Sequence, residues 1–171
     1  MPARRARPPA RPGGDGGGAR AARGALDATD MAILRVLRAN ARATFTEIGR
    51  AVGLSAPSAH DRVHRLERRG VIRGYHARVD PEVLGLDVLS LVGVVPSGSP
   101  DIEAMERDFA AIEQVEAAYS VAGEESHLLV VRTRTITDLA GVLQRIRGVE
   151  GVAGVRTSMV LSTAFERGPA V

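Results

Sequence analysis

The side chains of this chain that could do chemistry are its arginines, its acids and four histidines, and they are unevenly placed. All 23 basic residues are arginine, and neither lysine nor cysteine occurs. Without cysteine there is no disulfide framework and no thiolate metal site, and a reducing cytosol is the expected compartment. Six arginines against Asp15 give residues 1–25 a balance of +5, and ten arginines against six acids give residues 26–80 a balance of +4. Residues 81–171 carry seven arginines against thirteen acids, a balance of −6. A polyanionic partner therefore belongs to the first half of the chain. A GC-rich genome would also favour arginine over lysine, so the position of the charge says more than its type.

The densest constellation lies in residues 44–73. Ser55, Pro57, Ser58, Asp61, Arg62, His64, Arg65 and Arg68 follow one another at helical spacing. At 100° per residue Ala56, Ala59, Val63 and Leu66 form the inner side of that helix. Pro57, Asp61, His64, Arg65 and Arg68 form the outer side, with Ser58 and Arg62 on a flank. Small residues near the start permit close approach to a major groove, and arginine can reach phosphates or pair with guanine. Double-stranded DNA is the expected partner, with Ser58, Asp61 and Arg65 nearest the bases.

Other chemistries find little support. His60 and His64 are four residues apart, the spacing of paired helical metal ligands, but no third ligand cluster and no HExxH accompany them, so no metal is assigned. Glycine-rich phosphate loops are missing, and no nucleophile stands beside a plausible base. Glu124 and Glu125 are adjacent and are expected to point apart in extended backbone, which argues against a carboxylate pair. Neither catalysis nor a cofactor is expected.

Caps and turns define the elements that hold the arginine face. Asp27 caps a first helix with Asp30 in its first turn and Ile33, Leu34 and Leu37 on its buried face. Thr44 and Glu47 form a capping box for a second helix, bearing Ile48, Ala51 and Val52, which Gly53 ends in a left-handed conformation. Ser55 caps the third, with Pro57 in its first turn. An apolar hairpin is expected over residues 71–79, completing a winged helix-turn-helix. Tyr75 is expected to pack that hairpin.

Beyond Pro81 the period changes. Strands are expected over residues 87–95, 114–122, 127–134 and 152–162, with a helix opened at 99–101 and bearing Ile102, Met105, Phe109 and Ile112, and another capped by Thr137 and ended by Gly148. The order βαββαβ is a ferredoxin-like, α+β arrangement with one sheet face left open. Tyr119, Val121, Leu129, Val131, Val155, Met159 and Leu161 give more apolar strand surface than one helical layer needs, so dimerisation through the open face is expected. No apolar run is long enough to span a bilayer, and the N-terminus lacks the apolar core of a signal peptide.

The chain resembles the Lrp/AsnC, or feast/famine, family of transcriptional regulators over residues 26–162. The resemblance rests on Leu26-Asp27, Asp30, Ile33-Leu34, Leu37, Arg42, Val52-Gly53-Leu54-Ser55, Arg62-Val63, Arg65-Leu66-Glu67, Gly70-Val71-Ile72, Gly74-Tyr75 and Leu84-Gly85. It implies an N-terminal winged helix-turn-helix and a C-terminal βαββαβ domain that dimerises and binds small effectors, usually amino acids. Dimers in the family commonly assemble into tetramers or octamers, which here would sit in the cytoplasm on the nucleoid. The family's effector loop reads like TG(D/E)YDY. Here it is Ala122-Gly123-Glu124-Glu125-Ser126-His127, which keeps the glycine and the acid but not the threonine, tyrosine or aspartate. Gly123, Glu124, Glu125, Ser126, Thr157 and Ser158 are the expected effector residues: the glycine admits a carboxylate, Glu124 receives an ammonium group, and the hydroxyls assist.

The resulting division is a basic tail at 1–25, the DNA-binding domain at 26–80, a linker at 81–86, the effector and oligomerisation domain at 87–163, and a C-terminal tail at 164–171. The leading reading is a transcription regulator that responds to an amino acid. The alternative is an architectural, nucleoid-type DNA-binding protein without effector response, which the altered loop and the basic tail would suit.

Overall fold

A computed structural model describes residues 25–167. The expected basic tail lies outside these residues apart from its last position, as does the end of the C-terminal tail. The chain divides into two compact units, the first ending at Ala77 and the second starting at Arg78.

The first unit is built from α1 (Ala28–Ala39), α2 (Phe45–Val52) and α3 (Ala56–Arg68). Each begins on a side-chain cap: Asp27 accepts from Asp30 N, Thr44 forms the full capping box with Glu47, and Ser55 accepts from Ser58 N. These acceptors satisfy amides that the first helical turn leaves open. Gly53 ends α2 at φ 71°, and Ile33, Leu37, Ile48, Ala59, Val63 and Leu66 close the core between the helices. The hairpin expected over residues 71–79 is not formed, because no strand occurs there. Val71 and Ile72 pack back onto the helical core, and the exposed residues that follow have no apolar face to hold a two-stranded ribbon. Tyr75 is tied to α3 instead, its hydroxyl donating to Glu67 at 2.9 Å.

The second unit opens with a 3-10 turn, Glu82–Leu84. It continues as β1 (Val88–Pro96), α4 (Ile102–Ala111), β2 (Val115–Ser120), β3 (His127–Thr133), α5 (Ile136–Arg147) and β4 (Val152–Met159). The sheet order is β2-β3-β1-β4 and every neighbouring pair is antiparallel. The cap of α5 is Thr135 rather than Thr137. Thr135 and Asp138 complete a capping box, and Thr137 lies inside the first turn. The last strand ends at Met159, three residues short of the expected limit.

Val92 and Val94 of β1 and Leu129 and Val131 of β3 are fully buried beneath Met105, Phe109, Leu139, Val142 and Ile146. Burying a side chain the size of Phe109 contributes about 2–3 kcal/mol. Strand alternation then sends Leu91, Gly93 and Val95, with Leu128 and Val130, to the opposite face. The register agrees, pairing Leu91 with Val130 and Gly93 with Leu128. The open face therefore differs from the expected set. Leu129, Val131 and Val155 belong to the helix-covered side, Met159 pairs with buried Ser90 on that same side, and Val121 and Leu161 lie beyond the strand ends. Tyr119, paired with Leu128, is the residue of that set on the open face. Both faces of β1 and β3 are apolar, so alternation alone could not say which one the helices cover.

Candidate nucleic-acid interface and effector loop

The outer side of α3 presents Pro57, Ser58, Asp61 and Arg68 as exposed residues, with His64 half-buried. Arg68 has no hydrogen-bond or ion-pair partner among the described residues. Ser55 is exposed but already used: its Oγ takes the Ser58 amide at 3.3 Å and lies 2.9 Å from Ser58 Oγ.

Arg62 and Arg65 stand differently from the expected free arginine face. Arg62 Nη1 donates to Asp27 Oδ2 at 2.6 Å and to Asp30 Oδ1 at 2.8 Å. Arg65 Nη2 donates to the same Asp30 oxygen at 3.2 Å, and Arg69 Nη1 lies 3.8 Å from Asp30 Oδ2. Asp30 is only 2% exposed, and its arginine partners supply the hydrogen bonds that a buried carboxylate needs. The Arg62 hydrogen bond holds the Asp27 carboxyl below its usual range and raises Arg62 in return. Arg62 is thus a tie between α1 and α3, whereas Arg65, 45% exposed, gives one nitrogen to Asp30 and remains open to solvent.

His60 and His64 do not point to a shared ligand position. Their rings pack edge to face at 4.3 Å, with Phe45 4.9 Å from His60, and their Nδ1 atoms engage Asp61 and Glu67. Glu67 also receives Tyr75; partial desolvation of this otherwise exposed phenol, with that hydrogen bond, pushes it up to about 12.

In the second unit, Gly123 has φ 145°, a conformation open to glycine, in the β2–β3 connection. Glu124 and Glu125 do not point apart. Arg156 Nη1 lies 2.8 Å from Glu124 Oε2 and 3.8 Å from Glu125 Oε1, because the loop leaves strand geometry and folds back over β1. Gly93 makes room for this: a Cβ there would meet the Glu125 carboxylate. Ser126 is half-buried, donating to Val94 O at 3.4 Å and lying 3.0 Å from His127 Nδ1. His127 is fully buried against Phe109, with Nε2 3.5 Å from Glu106. Thr157 pairs with Val92 on the helix-covered side of β4, so it does not join the loop. Ser158 shares the open face but pairs with Leu91, two positions farther from the loop than Arg156.

Residues 26–67 match the AsnC-type helix-turn-helix domain and residues 87–170 match the Lrp/AsnC ligand binding domain. The chain belongs to the Lrp/AsnC family. It is 40% identical over 131 residues to the HTH-type transcriptional regulator LrpA of Mycobacterium tuberculosis, covering 77% of this chain and 87% of that one. A feast or famine regulatory protein of the same organism, solved in complex with L-methionine, superposes with a TM-score of 0.80 at 39% identity, covering 85% of this chain and 99% of the other. A transcriptional regulator of Neisseria meningitidis, also solved with L-methionine, gives a TM-score of 0.74 at 29% identity over 83% and 94% of the two chains. As a member of the Lrp/AsnC family, the chain is a DNA-binding transcriptional regulator and not an enzyme. No helix among the described residues is long and apolar enough to cross a membrane.

Within this Lrp/AsnC chain, sequence reasoning missed Asp30 as the acceptor for the α3 arginines, and Arg156 with Gly93 as the support of the effector loop. An acid in the buried first turn of α1 was a signal for the former. For the latter, a glycine in the middle of an otherwise apolar strand marks a close approach.

Proposed function

We propose that this regulator reads double-stranded DNA through α3, with Ser58, Asp61, Arg65 and Arg68 at the groove, and that an amino acid bound at the loop around Gly123 changes its assembly or its affinity for DNA. The observation that carries the DNA reading is the exposed polar stripe of a capped α3 whose inner residues Ala59, Val63 and Leu66 are buried in the core. Arg62 is assigned to holding α1 and α3 together, and Ser55 to capping.

The open face of the sheet, with Leu91, Leu128, Val130 and Tyr119, supports a dimer formed face to face, which would present two α3 helices to successive grooves. Binding of L-methionine by two family members supports an amino-acid effector. Gly123 would admit its carboxylate, and Glu124 would take its ammonium group by exchanging it for Arg156. Gel mobility shifts with DNA from the regulator's own upstream region test the first part: binding should be weakened several-fold by Arg68→Ala, and an absence of any shift at low salt would overturn it.

One observation favours the architectural alternative. Both acids of the loop already face Arg156, so the site has a guanidinium where an effector's ammonium group would bind. A thermal-shift panel of amino acids separates the readings, because a ligand that binds only the folded state raises the melting point. A panel that shifts nothing would leave DNA binding without effector control.

A further inference from the structure

The second unit contains a cavity at the end of the sheet opposite the Gly123 loop. β3 leaves that loop at His127 and reaches the cavity at Thr133, a run of seven residues, or about 20 Å at strand rise. The cavity has a volume of about 820 Å³, within the range of small-molecule sites. Its floor is the α5 stripe Thr137, Gly141 and Arg145, one turn apart. The ends of β2 and β3 form one wall, and Leu84 and Leu86 form an apolar side.

Three arginines and three carboxylates balance on this wall, but the hydrogen bonds leave one of the arginines without a partner. Arg132 Nε is taken by Glu116 at 2.8 Å, and Arg145 Nη2 donates to Gln114 at 2.7 Å. Asp138 accepts from the Thr135 amide at 3.1 Å, and Glu113 is engaged as well. Arg134 has no hydrogen-bond or ion-pair partner among the described residues, yet it lines the cavity. The first turn of α5 lies on the same rim. Its capping side chain takes the Asp138 amide and leaves those of Ile136 and Thr137 without a side-chain acceptor.

Gly141 points to the same cavity. It lies in the interior of α5 at an exposed position, where glycine weakens a helix relative to alanine. Its φ is not positive, and a Cβ would have no atom within 4 Å. Neither backbone conformation nor packing within the protomer calls for glycine here. What the missing side chain keeps open is the floor of the cavity.

We propose that this cavity is a ligand site separate from the Gly123 loop, for an organic acid of metabolite size. Its carboxylate meets Arg134 and the first turn of α5, and its carbon body lies over Gly141 against Leu84 and Leu86. The carboxylates on the wall already accept hydrogen bonds or are engaged within the protein, whereas Arg134 is not, so the site favours acids lacking an amino group.

The test is a thermal shift on the full chain with succinate, hexanoate and inorganic phosphate at matched ionic strength, for the wild type, Gly141→Leu, Arg134→Gln and the loop variant Glu124→Ala. Succinate or hexanoate should raise the melting point by about 3 °C or more at saturation in the wild type and in Glu124→Ala. The rise should be absent in Gly141→Leu, which fills the floor, and in Arg134→Gln, an exposed change that does not threaten folding. The proposal fails if neither acid shifts the wild type, or if the shift survives both cavity variants. It also fails if phosphate matches the organic acids, which would leave only a point charge at Arg134. Sedimentation of Gly141→Leu completes the test: a lost oligomer would make the cavity a contact between copies and overturn the ligand site.

Discussion

Arg62 Nη1 donates to Asp30 Oδ1 at 2.8 Å, joining α3 to α1 across 32 residues of sequence through a carboxylate almost wholly removed from solvent. Asp30 is also the acceptor for Arg65 and the neighbour of Arg69, so three arginines share one buried anion. Removing that carboxylate leaves Arg62 with Asp27 alone and takes from Arg65 and Arg69 their buried acceptor. Asp30→Ala should lose about 2–4 kcal/mol in urea unfolding, below the full range for a wholly buried pair because the arginines are partly exposed. Arg68→Ala should leave the unfolding midpoint unchanged while weakening DNA binding, and should lower the slope of log affinity against log salt by about one. If both variants behave alike, the division between holding and reading arginines is wrong.

Gly49 and Gly53 should fail on substitution for different reasons. A Cβ on Gly49 would lie 2.6 Å from Leu54 O and 3.3 Å from Ser55 C, both backbone atoms that cannot swing away. Leu54 N donates to Gly49 O at 2.8 Å, so the turn is drawn tightly onto α2 at this point. Gly49→Ala should cost about 1–3 kcal/mol and displace the start of α3, reducing DNA affinity with it. Around Gly53 there is empty space but φ is 71°, so Gly53→Ala meets only backbone strain, about 1 kcal/mol. Unfolding midpoints of the two variants should rank in that order.

The capped helices were legible in the sequence because each carries its own local signal: Asp27, Thr44 with Glu47, and Ser55 all cap as their spacing suggested. The strands were legible to within a few residues. What could not be read was direction. In β1 and β3 both faces are apolar, so the buried set of Val92, Val94, Leu129 and Val131 is fixed only once the helices choose a side. Likewise, a helical projection places Arg65 on the outer side correctly but cannot show that α1 brings Asp30 within reach of it. The hairpin failed because alternating apolar residues need a surface to cover, and Val71 and Ile72 had already found one on the helical core.

Tyr75 gives the first unit an alkaline limit. Partial desolvation and the hydrogen bond to Glu67 push its phenol up to about 12, above the ordinary value of 10.0. The folded state therefore holds the proton more tightly than the unfolded chain. That contribution is complete below pH 10 and is lost as the pH rises through about 12. Absorbance titration of Tyr119→Phe, which leaves Tyr75 as the one tyrosine, should show the phenolate appearing near pH 12. In that background Glu67→Gln should move the transition down, because it removes the acceptor charge. A transition at the ordinary value would mean that Tyr75 is not anchored to α3.

Arg156 governs what the Gly123 loop can accept. Its Nη1 lies 2.8 Å from Glu124 and 3.8 Å from Glu125, and the Glu125 carboxylate rests over Gly93, so the two acids are held together by one guanidinium. An incoming ammonium group must displace that contact. Exposed pairs of this kind contribute at most about 1 kcal/mol, so Arg156→Ala should tighten L-methionine binding by up to about fivefold in calorimetry. Glu124→Gln should weaken it, because the group that receives the ammonium loses its charge. Weaker binding in Arg156→Ala would show instead that the guanidinium takes the ligand's carboxylate. Gly93→Ala probes the same geometry without changing charge: its methyl group would displace the flexible end of Glu125 and not the backbone, so affinity should change while the unfolding midpoint stays within about 1 kcal/mol of the wild type.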